Sequence, residues 1–216
     1  MSNRNIQVLF IHGMGRGRLS GFPLLLHLKR QGFTVSTFGY STALEEFAGI
    51  TARLRRRIED MAARGPYALV GHSLGGIMIR EALAQLGSNT RQPLHVFLLG
   101  SPVRPARLAR HFQRSPVFRA LTRDCGRLLA SDERMRALPF PEVPITIIVG
   151  TGGPRGRLSP FGNLANDGII SVEEARPEQA VEEVRVKKLH TLLPSSLEVA
   201  RLVSSRLTKD SDKTAN

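Results

Sequence analysis

The sequence predicts an α/β fold, a three-layer sandwich in which helices cover both faces of a mostly parallel sheet of about six strands. Apolar runs of strand length alternate along the chain with segments whose apolar residues recur at helical spacing. Several runs, such as LHVFLL, are apolar at nearly every position, which is typical of parallel strands buried on both faces. Because ligands of such sheets bind at the carboxyl ends of the strands, we expect the chemistry in the loops that follow them.

Each predicted element has its own signal in the sequence. The strands are apolar runs bounded by glycine, proline or polar turns, at residues 6–11, 33–38, 67–70, 94–99, 145–149 and 184–189. A second helix is expected to open with a capping box at Thr42 and Glu45. The other main helices are predicted at residues 22–31, 75–86 and 196–207.

One segment breaks this alternation. Residues 104–141 separate two strands by far more than one helix and contain nine arginines, so we predict a small helical insertion that forms a reduced cap. Four of its arginines recur at helical spacing, which is typical either of an amphipathic surface for anionic lipids or acidic substrates, or of a solvated helix: Arg104, Arg107, Arg110 and Arg114. We predict one domain over residues 1–208 and a disordered tail over residues 209–216.

Composition narrows the class of protein. The 216 residues carry a net charge of +13, and the single cysteine, Cys125, excludes an internal disulfide and a cysteine-based zinc site. No apolar run is long enough to span a bilayer and no signal peptide is visible, so we expect a cytoplasmic protein. No nucleic-acid motif accompanies the positive charge, so no nucleic-acid partner is expected.

The stretch YALVGHSLGGIM contains a candidate nucleophile. Gly71, Ser73 and Gly75 complete a G-x-S-x-G motif between a predicted strand and a predicted helix. In that setting a sharp turn exposes the serine hydroxyl, and the neighbours two residues away must be small. We therefore predict that Ser73 is a nucleophile, although a serine in an unreactive turn is the simpler alternative.

A serine hydroxyl needs a base, and six histidines are available. His190 follows the last predicted strand directly, which places it at the same sheet edge as Ser73, whereas the side chain of His72 should point away from the serine. We therefore predict His190 as the base.

A carboxylate must orient that imidazole. Asp167 follows the fifth predicted strand through a glycine-rich loop, NLANDGIIS, and is the predicted acid, with capping of a following turn as the alternative role. Acids of the arginine-rich insertion are better explained by salt bridges: Asp124, Asp132 and Glu133. Glu173 and Glu174 remain fallback candidates.

The first predicted strand ends in a glycine loop that begins with His12 and Gly13. Glycines there let backbone N–H groups approach a substrate oxygen, so we predict the N–H groups of Met14 and Leu74 as an oxyanion hole. A dinucleotide loop is the competing interpretation, but the glycine spacing does not match G-x-G-x-x-G. We expect no metal and no cofactor.

These segments together resemble the α/β-hydrolase superfamily, and most of all its small lipase and esterase branch, which includes bacterial triacylglycerol lipases and proteins of the GPI inositol-deacylase type. The resemblance covers nearly the whole chain and is carried by LFIHGMG, LVGHSLGG, LLGSPV, NDGIISVEEA and LHTLL. It implies Ser73 as nucleophile, His190 as general base and then acid, and Asp167 as the residue that orients it. Two positions depart from the branch: Ser171 stands where proline is common and Glu174 where serine is common.

The expected activity is hydrolysis of carboxylic esters through an acyl-enzyme on Ser73. The insertion is short, so any lid is small, which favours an esterase, thioesterase or acyl-lipid hydrolase over an interfacial lipase. Expected partners are a small ester or acyl-lipid substrate and, as a candidate, an anionic membrane surface. The alternatives are an acyltransferase that uses the same acyl-enzyme and a catalytically inactive basic binding protein on the same fold.

Overall fold

Within the described residues, six strands form one sheet: β1 (Gln7–Ile11), β2 (Thr34–Phe38), β3 (Tyr67–His72), β4 (His95–Leu99), β5 (Ile145–Gly150) and β6 (Glu182–Val186). All pairs are parallel, and the strand order is β2-β1-β3-β4-β5-β6. The computed structural model describes residues 6–157 and 159–213, with side chains up to residue 210. The α/β sandwich predicted from the sequence is confirmed.

In the part of the chain that the structure describes, eight α-helices connect or flank the strands: α1 (Phe22–Arg30), α2 (Phe47–Arg64), α3 (Leu74–Ala84), α4 (Arg107–Phe112), α5 (Pro116–Ala130), α6 (Asp132–Ala137), α7 (Val172–Ala175) and α8 (Leu197–Lys213). Two short 3-10 helices, Arg18–Gly21 and His190–Ser195, follow β1 and β6. Within the described residues, no helix is long and apolar enough to cross a membrane.

The start of α2 differs from the prediction. The helix begins at Phe47, and its N-cap Glu46 makes no side-chain cap. Thr42 instead donates its hydroxyl to the carbonyl of Leu121 (2.9 Å), and Glu45 accepts the N–H of Ser41 (3.0 Å). The predicted capping box is therefore wrong, because both side chains are used by loop contacts before the helix begins.

The other end of the chain also differs. Helix α8 continues to Lys213, past the predicted end of the helix at residue 207, so residues 209–213 are helical; residues 214–216 of the predicted tail lie outside the described residues. Asp210 accepts a hydrogen bond from His95 Nδ1 (2.7 Å), and Arg206 pairs with Glu182 of β6. These contacts anchor the end of α8 to the sheet, which local polarity could not reveal.

Apolar side chains pack on both faces of the sheet. On one face, Leu9 and Ile11 of β1 lie in the core with α2, α3 and the insertion. On the other face, Val8 and Phe10 pack against α1 and α8. Alternate residues of one strand therefore supply two separate cores, and each fully buried aliphatic side chain contributes about 2 kcal/mol.

The insertion between β4 and β5 contains α4, α5 and α6. Ser115 and Ser131 cap α5 and α6 by accepting backbone N–H groups of Phe118 and Arg134. Inside α5, Arg123 has a φ of 45°, so the helix is kinked there. Its guanidinium pairs with Glu46 (2.8 Å), which ties the kink to the start of α2.

Candidate active site

Ser73 lies in a strained turn between β3 and α3. Its φ is 53° and its ψ is −122°, and Ser73 and Arg123 are the non-glycine residues of the described chain with positive φ. The N–H of Ser73 donates to the carbonyl of Leu99 at the end of β4 (2.9 Å). A non-glycine residue in such a conformation is held there only by its surroundings, as the nucleophile prediction requires.

The glycines of the motif are needed for close backbone contacts. A Cβ on Gly75 would lie 2.3 Å from the carbonyl oxygen of Ile11, and one on Gly71 would lie 2.5 Å from the Cα of Gly76. A Cβ on Gly13 would lie 3.0 Å from the Cβ of Ser73. Strand β1, its following loop and the start of α3 therefore meet at the serine because these positions carry no side chain.

Asp167 and His190 form a buried hydrogen-bonded pair. His190 Nδ1 lies 2.7 Å from Asp167 Oδ2, and the exposed fractions of the two residues are 6% and 2%. The N–H of His190 also donates to the carbonyl of Asp167 (2.9 Å). With Nδ1–H directed to the carboxylate, Nε2 is left as the nitrogen that can accept a proton.

The loop around Asp167 fixes its carboxylate. Oδ1 accepts the N–H groups of Ile169 (2.9 Å) and Ile170 (2.7 Å), so both oxygens of the side chain have partners. Gly100, with a φ of 52°, packs on the pair: a Cβ there would lie 3.0 Å from both Asp167 Oδ2 and His190 Nδ1. A side chain at position 100 would therefore push the acid and the base apart.

Ser73 and His190 are connected through His72. Within the described residues, Ser73 Oγ makes no hydrogen bond to His190 Nε2, a contact that often tightens only when substrate binds. His72 Nε2 instead donates to the carbonyl of His190 (3.0 Å), and the two imidazole centroids are 4.7 Å apart. The residue before the serine thus holds the backbone of the predicted base.

Burial keeps the His72 imidazole neutral. Its exposed fraction is 2%, and Nδ1 has no hydrogen-bond partner. Desolvation, followed by the nearby His190, lowers the pKa of His72 well below 6.5. A neutral His72 can donate from Nε2 only, so its tautomer is set by the carbonyl of His190.

The loop after β1 lies next to Ser73 and is held there by contacts of His12. Tyr40 donates its hydroxyl to the carbonyl of His12 (2.7 Å), and the two rings stack with centroids 4.2 Å apart. His12 Nδ1 donates to the carbonyl of Gly13 (2.9 Å). Among the backbone hydrogen bonds of the described chain, none uses the N–H of Met14 or Leu74, so both are available for an oxyanion.

The alternative acids have other contacts. Glu174 accepts the backbone N–H groups of Ser171 (2.7 Å) and Arg107 (2.6 Å), so the fallback role is contradicted for this residue. Asp124 pairs with Arg134 (2.7 Å) and Asp132 with Arg110 (2.7 Å), as salt bridging predicted. In the part of the chain that the structure describes, no group of three or more His, Cys, Asp or Glu side chains could hold a metal ion.

The structure thus brings together the predicted acid and base and places Ser73 at the same sheet edge. Sequence reasoning missed two supporting residues, His72 and Gly100, and it considered Glu174 only as a fallback acid. The only available signals were a histidine inside the G-x-S-x-G motif and a glycine directly after a strand. The catalytic and oxyanion roles of the predicted residues stay predictions.

We expect His72 to act as a positioning residue for His190. His72→Phe keeps a ring but leaves the His190 carbonyl without its donor, and we expect kcat to fall about tenfold with KM little changed. His72→Gln retains an N–H donor at similar reach and should keep most of the activity. A His72→Phe enzyme with the kcat of the parent would contradict this role.

The free energy of unfolding should decrease at acidic pH because three histidines are buried in the neutral form. Burial lowers the pKa values of His12, His72 and His95 below 6.5. Below that pH the unfolded chain binds protons that the folded chain excludes, so the free energy of unfolding should fall by about 1 kcal/mol per pH unit for each such histidine. Urea unfolding between about pH 7 and about pH 5 measures this slope.

The His72→Gln variant is the control for that measurement. It removes one imidazole that resists protonation, so its stability should depend less steeply on pH. A slope equal to that of the parent protein would show that His72 is not excluded from protonation in the folded state.

The comparisons with known proteins agree with the hydrolase fold. The model of the thioesterase domain matches residues 28–138, just over half of the chain. No curated protein matches the sequence. Three solved structures share the fold. One is the RedJ thioesterase of the prodiginine pathway of Streptomyces coelicolor (TM-score 0.62, 16% identity, 95% of this chain and 85% of that chain covered).

The second is human thioesterase 2, with a TM-score of 0.59, 14% identity and coverage of 96% of this chain and 98% of that chain. The third is phospholipase PlaB from Legionella pneumophila, with a TM-score of 0.68, 13% identity and coverage of 96% and 61%. The resemblance to α/β hydrolases is therefore confirmed at the level of the fold. With its matching domain model, this chain belongs to the thioesterase-domain family of α/β hydrolases, which act on acyl esters and thioesters.

Proposed function

We propose that this protein is a serine hydrolase that cleaves carboxylic esters through an acyl-enzyme on Ser73. The observation that carries the proposal is the buried hydrogen bond between Asp167 and His190 (2.7 Å), at the sheet edge where Ser73 stands in a strained turn. An imidazole oriented by a carboxylate, at the same sheet edge as a half-buried serine, is the arrangement that activates a hydroxyl for attack.

The proposed reaction proceeds in two halves. Ser73 Oγ attacks the acyl carbonyl while His190 Nε2 takes its proton, and the N–H groups of Met14 and Leu74 stabilise the oxyanion. The carbon–oxygen bond to the leaving group then breaks, and His190 returns the proton to the departing alcohol. Water, deprotonated by His190, attacks the acyl-enzyme and releases the acid and Ser73.

A thioester is the second candidate substrate, and the thioesterase-domain match favours it. The same steps apply with a thiol as leaving group. A thiol has a pKa near 8.5, so the departing thiolate needs protonation less than an alkoxide does. Hydrolysis of an oxygen ester and of a thioester with the same acyl chain can therefore be compared. The rate for the thioester should depend less on His190 than the rate for the oxygen ester.

Ser73→Ala should abolish turnover. We expect hydrolysis of p-nitrophenyl butyrate and of a butyryl thioester to fall by at least about 10³-fold, because the acyl-enzyme cannot form. Labelling by a fluorophosphonate probe should disappear as well. Ser101→Ala is the matched control, since Ser101 is a buried serine two residues after β4 whose hydroxyl has no hydrogen-bond partner in the described chain.

Unchanged labelling of the Ser73→Ala variant would refute the assignment of the nucleophile. If the parent protein is labelled but releases no acid, transfer of the acyl group to an added alcohol would identify an acyltransferase. A parent protein that is neither labelled nor active would support the inactive binding protein.

We also propose an anionic lipid surface as a partner. All exposed large apolar side chains of the described residues lie in segments that leave the carboxyl ends of strands, in the first turns that follow, or in the insertion: Leu19, Phe22, Leu44, Phe112, Val117, Leu121, Ile169, Leu189, Leu192 and Leu197. The same segments carry basic residues such as Arg119 and Lys187. Exposed apolar side chains and basic groups in the same segments fit an anionic interface.

Vesicle sedimentation tests that partner. We expect the protein to sediment with vesicles that contain phosphatidylglycerol and to stay in the supernatant with pure phosphatidylcholine, and salt should weaken the binding. Replacing Leu44 and Val117 by serine should reduce the bound fraction if these side chains insert. Equal sedimentation with both kinds of vesicle would refute an anionic surface.

A further inference from the structure

A cavity of about 750 Å³ lies between the insertion and α7, and it contains none of the predicted catalytic residues. Its wall combines the start of α4, the end of α6 and the segment around Ser171. Six arginines line it: Arg80, Arg104, Arg107, Arg110, Arg136 and Arg176. Three of the four arginines that recur at helical spacing in the sequence, Arg104, Arg107 and Arg110, therefore share a concave site, whereas Arg114 does not line it.

The carboxylates in the wall leave part of this positive charge uncompensated. Four acidic residues line the same cavity: Asp132, Glu173, Glu174 and Glu178. Asp132 is paired with Arg110 (2.7 Å), and Glu174 is occupied by the two backbone N–H groups of Ser171 and Arg107. Arg176 pairs with Glu183, outside the wall (3.0 Å).

Arg80 is a buried cation in this wall without an acidic partner. Its exposed fraction is 2%, and within the described chain no carboxylate forms an ion pair with it. Two of its nitrogens donate to the carbonyls of Leu138 (2.7 Å) and Pro139 (3.1 Å), whereas Nη1 has no hydrogen-bond partner. Burial lowers the pKa of Arg80 to about 10, so the group stays charged at neutral pH.

Arg104 and Arg107 add two exposed guanidinium groups to the same site. Among the ion pairs of the described residues neither has a carboxylate partner; Arg107 donates to the carbonyl of Pro160 (3.2 Å) and lies over the ring of Phe161. A buried charge that lacks a counter-ion is costly. Converging guanidinium groups bind phosphate oxygens with paired N–H donors.

We propose that this cavity is a binding site for the phosphate group of a larger ligand, with Arg80, Arg104 and Arg107 as its cationic contacts. Phosphate fits better than a carboxylate, because its higher charge and three free oxygens match several guanidinium groups at once. The cavity is also far larger than one inorganic phosphate, so the rest of the ligand occupies the remaining volume.

Binding of inorganic phosphate, measured by calorimetry at constant ionic strength with chloride as the reference anion, tests the site. The double variant Arg104→Gln/Arg107→Gln should bind phosphate roughly tenfold more weakly than the parent protein. Arg201→Gln on α8, on the opposite face of the sheet, is the matched control and should bind like the parent. Arg80→Lys keeps the positive charge but loses the paired N–H donors of the guanidinium group, so it should also weaken phosphate binding.

Glycerol 3-phosphate and adenosine monophosphate distinguish the two sources of such a group. Tighter binding of the first assigns the site to lipid headgroups, and tighter binding of the second assigns it to soluble phosphate esters. Phosphate affinity that is absent, or equal in the parent, the double variant and the control, would overturn the proposal. The measurement needs no turnover, so its result is independent of the hydrolase function.

Discussion

The backbone contact between the start of α3 and the end of β1 is the constraint on which the site depends. Gly75 lies so close to the carbonyl of Ile11 that any Cβ would overlap it, and this approach forces the chain to turn sharply at Ser73. The strain of the positive φ is localised at one residue and is held by the sheet on both sides, since the N–H of Ser73 donates to Leu99 of β4. The serine is thereby fixed before any substrate binds, which is the condition for preorganised catalysis.

A second constraint joins the loops that follow β4 and β5. The carbonyl of Glu174 accepts the N–H groups of Val103 (2.8 Å) and Arg104 (3.0 Å), while its carboxylate holds the N–H groups of Ser171 and Arg107. One residue therefore ties the loop that carries Gly100 to the loop that carries Asp167. Because Gly100 packs directly on Asp167 and His190, this clamp limits how far the hydrogen-bonded pair can shift.

Features that depend on the order of the strands and helices could be predicted from the sequence. Contacts between residues far apart in the chain could not. Ser73, Asp167 and His190 can be predicted as candidates from the sequence because parallel strands bring their following loops to one edge, a rule that needs only the order of elements. The bond from His72 to the His190 carbonyl joins residues 118 positions apart and leaves no local pattern. The capping box at Thr42 failed for the same reason, since its hydroxyl finds a partner in the insertion.

Arg80 joins α3 to the insertion. It lies two turns of α3 after Ser73. Its guanidinium binds two carbonyls at the end of the insertion and lies over the ring of Phe140. These contacts fasten the end of the insertion to the helix that follows Ser73, the predicted nucleophile. A neutral side chain could pack there, but it would leave two buried carbonyls without donors. The arginine therefore satisfies the backbone at the expense of a buried charge, and it is one of the six arginines that line the basic cavity.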